Sequence, residues 1–346
     1  MKSQTKPAFV TGGTGLVGSH LIYTLISQGV YVRAIHRKSS NRGIINRLIG
    51  YYGGNESELS GRLEWVESDI SDPESLAGAM KGSDLVYHCA AAVSFGNRDK
   101  NLVIENNVQG TANIVRACME NKIRKLCHVS SNAALGAYDG EQMVNEEHGW
   151  DDKGYRSPYG ISKYLSEREV WNGISQGLNA VIVNPTLILG PGDWNRGSVS
   201  FFTKIDEGLL FYTNGTNGYV DVNDVVKAMI LLANSDISGE RFILNAGNLD
   251  YGQFFSMIAR SLNIRGPVIG VPRALSYPAM LVAQMLEVIT GGRSALTKEI
   301  VKVAWSKITY DSSKITRLTG FSFTPVEKTV NSIAKIYLEE KGRITG

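Results

Sequence analysis

The stretch AFVTGGTGLVGSH, residues 8–20, restricts the fold of this chain more than any other. A short apolar run meets glycines at Gly12, Gly15 and Gly18, and a helical pattern begins at once. Glycine at a strand-to-helix junction lets the backbone turn tightly. It also lets main-chain N–H groups at the helix N-terminus approach a pyrophosphate. Because the spacing G-x-x-G-x-x-G has a strand before it and a helix after it, it reads as a dinucleotide loop. Gly12, Thr14, Gly15, Leu16, Val17 and Gly18 are the residues expected to face that ligand.

The rest of the first half repeats the alternation. Apolar runs at Ala8–Thr11, Val30–Ile35, Leu63–Val66, Leu85–Cys89, Leu126–Ser130 and Ala180–Asn184 read as buried strands. Helical periodicity fills Leu16–Ser27, Pro73–Met80, Val103–Asn121 and Pro158–Ser175. Strand and helix in turn imply an α/β fold, a Rossmann-type doubly wound parallel sheet. After Pro185 the pattern loosens: GPGDWNRGS is turn-rich, strand-like runs return at GYVDV and Phe242–Asn245, and the chain from Tyr251 onward reads as mostly helical. The expected organisation is a cofactor domain of residues 1–185 plus about 219–246, with a smaller C-terminal substrate lobe of about 186–218 and 247–346.

Cofactor choice turns on the end of the second strand. A carboxylate about twenty residues beyond the loop would hold the ribose hydroxyls of NAD. Here the segment is RAIHRKSS, with Arg37 and Lys38 and no acid. A guanidinium suits a 2′-phosphate, so NADP(H) is expected over NAD(H).

Charge and composition narrow the partners. Net charge is +3 and no basic run is long, so nucleic acid is not an expected partner. Cys89, Cys118 and Cys127 lack C-x-x-C spacing, which fits reduced thiols and a cytoplasmic location. No His, Asp, Glu or Cys cluster has metal-ligand spacing, so no metal is expected. MKSQTKPAFVTGG has no long apolar stretch, so no signal peptide is expected. The apolar window ALSYPAMLVAQMLEVITGG is interrupted by Ser276, Pro278, Gln284 and Glu287. It reads as an amphipathic helix over a pocket and not as an integral membrane segment.

In SPYGISKYLSERE, Ser157 can cap a helix that Pro158 begins, and Tyr159 and Lys163 stand one turn apart on one face. HVSSNAALG, at the end of the fifth strand, puts serines where an open α/β sheet binds its ligands. Together with TGGTGLVGSH, ESDISDP, YHCAAAVS, NNVQGTANIVRAC, NPTLILGP, YVDVNDVVKAMILL and ITYDSSKITRLTGFSFTP, these motifs span nearly the whole chain. The chain resembles the extended short-chain dehydrogenase/reductase superfamily, in its dihydroflavonol-4-reductase-like and 3β-hydroxysteroid-dehydrogenase-like branch.

The resemblance implies roles. Tyr159 would be the general acid/base at the substrate oxygen. Lys163 would lower the phenol pKa, with the positive nicotinamide, and would bond the nicotinamide ribose. Ser131, five residues before Gly136, would hold the substrate oxygen, with Ser130 its structural neighbour. Asp69 and Ile70 would contact adenine, and Ala90 and Ala91 would line the cofactor. Asn107 would support the active-site backbone, while Pro185 through Leu187 pass under the nicotinamide. His88 reads as core. A homodimer through Val103–Asn121 and Pro158–Ser175 is a further family expectation.

Substrate class follows from two departures. Nucleotide-sugar enzymes of the superfamily carry an R-x-x-N-V-Y-G-P-like run, whereas NPTLILGP has Asn184 for the arginine and Leu187 for the asparagine. Asn217 stands where another arginine would precede the V-D-D-like segment. Phe201, Phe202, Leu209, Phe211, Tyr212, Tyr277, Met280 and Met285 are the apolar candidates for a pocket taking a small hydrophobic carbonyl or alcohol. A nucleotide-sugar epimerase or dehydratase, and a non-catalytic dinucleotide sensor on the same fold, stand as the alternatives.

Overall fold

A computed structural model describes residues 6–91, 100–136, 141–150, 157–275 and 304–344. Strand β1 (Ala8–Thr11) leads through the glycine loop into helix α1 (Leu16–Ser27). Then follow β2 (Val32–His36), α2 (Ile44–Tyr52), α3 (Glu56–Ser60), β3 (Leu63–Glu67), α4 (Pro73–Met80) and β4 (Leu85–His88). Next come α5 (Lys100–Glu120), β5 (Lys125–Val129), β6 (Glu141–Val144), α6 (Pro158–Ser175), β7 (Ala180–Pro185) and β8 (Leu187–Leu189). They are followed by α7 (Ser200–Asp206), β9 (Phe211–Tyr212), β10 (Thr216–Asp221), α8 (Val222–Ala233) and β11 (Glu240–Leu244).

Seven of these strands form one parallel sheet in the order β11-β7-β5-β4-β1-β2-β3. Its two faces explain the unbroken apolar runs. Val10, Ala34, Tyr87, Cys127 and Val183 pack beneath α1 and α8. Their neighbours Phe9, Ile35, Val86, Leu126 and Ile182 point the other way, onto α4, α5 and α6. With both faces covered, a strand has no polar face, as parallel sheets require. Strand order reverses at β1, so a crevice opens at the carboxyl ends of β1 and β4.

One strand boundary needs correction. β2 begins at Val32 and not Val30, because the Val30 N–H still bonds the Leu25 carbonyl and belongs to the end of α1. Beyond Tyr251 the described residues are mostly helical, with two short strands among them. After β12 (Gly247–Asp250), α9 (Tyr251–Ser261) and β13 (Ile269–Gly270), strand β14 (Lys307–Tyr310) pairs with both β6 and β10. The resulting second sheet runs β12-β10-β14-β6, with β8 also against β10. It packs on α7, α9 and the last helix, Val326–Glu340. β10 thus lies in the second sheet, while α8 and β11 serve the first.

Three buried histidines make the fold sensitive to acid. His20 bonds the Leu16 carbonyl and Tyr52, and burial pushes its pKa down to about 4. His88 bridges Thr11 and Thr111, and burial, aided by the charge of Lys163, lowers it to about 3. Burial also holds His128, beside His88, well below the usual imidazole value. Each group is less readily protonated folded than unfolded. Its stabilisation is therefore present above the unfolded pKa of about 6.5 and lost as pH falls toward the folded value. His20 and His88 should each withdraw about 2 kcal/mol between pH 7 and pH 5. Urea unfolding at the two pH values measures the sum, and equal stability at both would refute it.

Candidate active site

The glycine loop is built by close approach. Gly12 has φ +67°, and a Cβ there would lie 2.6 Å from the Ala90 nitrogen. A Cβ on Gly18 would lie 2.2 Å from the Gly12 carbonyl oxygen. The Ala90 N–H donates to Thr11 Oγ1 at 3.1 Å, tying the end of β4 to the end of β1. Gly15 occupies the N-cap of α1, and no side chain caps the helix. Its first-turn amides are thus arranged to meet an anion. A cleft of about 950 Å³ lies beside them, lined in part by Thr14, Gly15, Leu16, Arg37, Arg47 and Arg196. Lys38 is exposed and outside that lining. These residues fit a nucleotide cofactor: backbone donors, room for a phosphate chain, and arginines opposite.

Helix α6 carries the other half. Ser157 Oγ accepts the Gly160 N–H at 2.9 Å and Pro158 opens the first turn, so the sequence fixes where the helix starts. Tyr159, Lys163 and Glu167 follow on successive turns of one face. Tyr159 hydrogen-bonds Ser131, which stands just past β5 and caps a short 3₁₀ turn by accepting the Ala133 N–H at 3.2 Å. The Ser130 hydroxyl is buried and has no hydrogen-bond partner among the described residues. Tyr159 keeps some accessible surface, as a residue facing a crevice must, yet its hydroxyl is desolvated. Burial raises its pKa, and the Ser131 hydrogen bond opposes the rise. Lys163 is 4% exposed and donates to the Val129 carbonyl at 2.8 Å. Burial lowers its pKa to about 8 against the opposing charges of Cys89 and Glu167.

Without the nicotinamide, desolvation is the larger influence on the phenol. The Lys163 ammonium donates to the Val129 carbonyl, and burial raises the Tyr159 pKa. A phenol with a raised pKa is protonated at neutral pH, which suits an acid more than a base.

Buried polar links hold the site in place. Asn107 donates to Ser162 Oγ at 3.0 Å, and Ser162 donates to the Tyr159 carbonyl at 2.8 Å. Asn184 donates to the Ser131 carbonyl at 3.0 Å and to Glu167 Oε1 at 2.5 Å. Asp69 Oδ1 accepts from the Ser71 N–H and hydroxyl, and Asn113 donates to the Ile70 carbonyl. Ala90 and Ala91 follow β4, while Pro185 and Leu187 flank the step from β7 to β8. His88 is core, as expected, but partnered.

Glu167, Arg47 and Arg196 were not foreseen. A signal for Glu167 existed in its spacing, four residues beyond Lys163. The arginines come from segments with no motif.

The apolar candidates scatter. Phe202 is wholly buried among Leu189, Ile205 and Tyr219, so it is core. Phe201 and Leu209 pack partly against that core. Phe211 is 53% exposed on the β9–β13 ribbon, and Tyr212 lines a groove beside α9. Tyr277, Met280, Met285 and the amphipathic window from Ser276 onward lie outside the described residues. Among the described residues no helix is long and apolar enough to cross a membrane, and no metal-ligating cluster is present.

Residues 8–247 match the NAD dependent epimerase/dehydratase family, and the chain belongs to it. It is 27% identical over 327 residues to a putative dihydroflavonol 4-reductase of Synechocystis, covering 92% of this chain and 91% of the relative. An anthocyanidin reductase of Vitis vinifera is 28% identical over 290 residues, covering 77% and 83%. The crystal structure of gox2253 superposes with a TM-score of 0.79 at 27% identity, covering 98% of this chain and all of that one. The fold is that of the extended short-chain dehydrogenases, and the chain is an NAD(P)-dependent oxidoreductase or epimerase of that class.

Proposed function

We propose that the chain is an NADP-dependent reductase that converts a carbonyl of a small, largely apolar substrate to an alcohol, with Ser131, Tyr159 and Lys163 as its active site. The observation that carries this reading is the meeting of a desolvated, protonated phenol with Ser131 at the carboxyl edge of β5, two strands from the glycine loop in the same sheet. The bound nicotinamide supplies the hydride. Ser131 holds the substrate oxygen, and Tyr159 gives it the proton. Lys163, turned from the Val129 carbonyl, holds the nicotinamide ribose and steadies the phenolate left behind. Gly12, Thr14, Gly15, Leu16, Val17 and Gly18 seat the pyrophosphate. Asp69 and Ile70 take the adenine end, while Ala90, Ala91, Pro185 and Leu187 bound the nicotinamide end. Residues 1–185 plus about 219–246 form the cofactor domain in this reading, the remainder the substrate lobe, and α5 with α6 a homodimer face.

Apolar substrates are favoured over sugar nucleotides by the chemistry of two positions. Asn184 is fully buried and engaged by Glu167, so it offers no cation to a diphosphate. Asn217 is turned onto Tyr251 and the Gly218 N–H. The names of the dihydroflavonol and anthocyanidin reductases point the same way.

Loss of NADPH absorbance with a panel of aromatic and alicyclic ketones tests the reaction. Turnover supports it; tight binding of a UDP-sugar with no turnover on the panel would replace it by an epimerase reading. Arg37 lines the cleft, and the segment RAIHRKSS that carries it has no acid. Arg37→Ala should weaken NADPH about tenfold or more and leave NADH nearly unchanged. An unaltered ratio of the two dissociation constants would remove Arg37 from cofactor selection.

A further inference from the structure

Glu167 is 2% exposed, and the reaction proposed above gives it no task. A buried carboxylate is costly unless it is paired and hydrogen-bonded. Its partners lead to the site by two routes. Asn184, itself fully buried, divides its amide between Glu167 Oε1 and the Ser131 carbonyl. Lys163 lies one turn back on the same face of α6 and binds the Val129 carbonyl. In an extended chain, carbonyls two residues apart point the same way. Helix α6 therefore pins the end of β5 at two successive carbonyls of one side, one directly by Lys163 and one from Glu167 through Asn184.

We propose that Glu167 is a positioning residue: its carboxylate fixes Ser131 through Asn184 and keeps Lys163 in the ammonium form that holds the cofactor. The proposal rests on the reading of Lys163 as a ligand of the nicotinamide ribose. The groups facing Lys163 are Cys89 and His88 at the end of β4, His128 on β5, and Tyr159 and Glu167 on its own helix. Glu167 is faced from β11 by Arg241, 3.5 Å from Oε2, which also donates to the Glu146 and His148 carbonyls. Among the neighbours of Lys163, Glu167 and the thiol of Cys89 favour the ammonium. Burial holds Cys89 protonated up to about 12, so the thiol carries no charge over the working range.

The test is the affinity for NADPH, followed by its fluorescence, from pH 6 to pH 10. The native protein should lose affinity with a midpoint near the pKa of Lys163, about 8. Glu167→Gln keeps an acceptor for Asn184 and removes the charge, so the midpoint should fall by about one pH unit. Near pH 8.5 NADPH should then bind several-fold more weakly than to the native protein, with the two alike at pH 6. Glu167→Asp retains the charge and should restore the native midpoint although it cannot reach Asn184. A merely structural role would lower the melting temperature and leave the midpoint in place, and that result overturns the proposal. Should Glu167→Gln fail to fold, Arg241→Gln asks the same question with opposite sign. Losing the guanidinium leaves the carboxylate uncompensated and should raise the midpoint, and an unmoved midpoint is again refuting. Native protein that binds NADPH at no pH overturns both this proposal and the cofactor reading beneath it. Native protein that binds with the expected profile but reduces nothing overturns only the reaction.

Discussion

Tyr159→Phe is expected to bind NADPH with native affinity and to reduce its carbonyl substrate about a thousandfold more slowly, within the range of a positioned general acid. The change removes one oxygen from a ring held by the first turn of α6, whose start Ser157 and Pro158 fix independently. Loss of one hydrogen bond to Ser131 should cost about 1 kcal/mol of stability, too little to unfold the chain. The effect should therefore fall on kcat, because phenylalanine still fills the crevice wall but has no proton to give. Direction matters too. Burial raises the Tyr159 pKa, so at neutral pH the phenol is protonated and ready for reduction. The alkaline limb of the native profile should then report Lys163, near 8, and not the phenol. Native turnover in Tyr159→Phe would mean that the proton comes from elsewhere. An inactive native protein that binds NADPH tightly would favour a sensor.

What could be read from the sequence follows the range over which the controlling interaction acts. α1, α4 and α6 are bounded as their local signals demand: the glycine at the cap of α1, the Asp72 cap with Pro73, and the Ser157 cap with Pro158. Strands buried on both faces announce themselves as apolar runs. β6 and β14 do not, because each is a short strand whose identity comes from pairing Glu141–Val144 with Lys307–Tyr310 across the chain. The same distinction runs through the site. Tyr159 and Lys163 share a helix, so their spacing alone puts them on one face. Ser131 reaches Tyr159 only through the packing of β5 against α6. That Lys163 would donate to the Val129 carbonyl depends on β5 arriving beside α6, and that Glu167 would reach Ser131 through Asn184 depends on β7. No periodicity encodes that. Arg47 and Arg196 enter the cofactor cleft from α2 and from the loop after β8, again by tertiary placement.

Gly18→Ala should abolish tight NADPH binding, while Gly50→Ala, the same added methyl, should stabilise the protein. At Gly18 the new Cβ would stand 2.2 Å from the Gly12 carbonyl oxygen and 2.7 Å from its carbon. Neither is a flexible side chain, so the backbone itself has to move. Gly12 has nowhere to go, because its own α-carbon faces the Cys89–Ala90 peptide and its φ of +67° is set by the turn. The relief left is for α1 to ride away from the loop, carrying its first-turn amides off the phosphate position. Overpacking of this kind costs about 1–3 kcal/mol in a core. Taken from binding, that is up to about a hundredfold in affinity. Gly50 is exposed within α2 and has nothing within 4 Å of its added carbon. Alanine there reduces the freedom of the unfolded chain and should add about 0.5–1 kcal/mol. Titration with NADPH and thermal melts of the two variants form a matched pair. Native affinity in Gly18→Ala would show that α1 can shift without harm, and that the dinucleotide is not seated on its N-terminus.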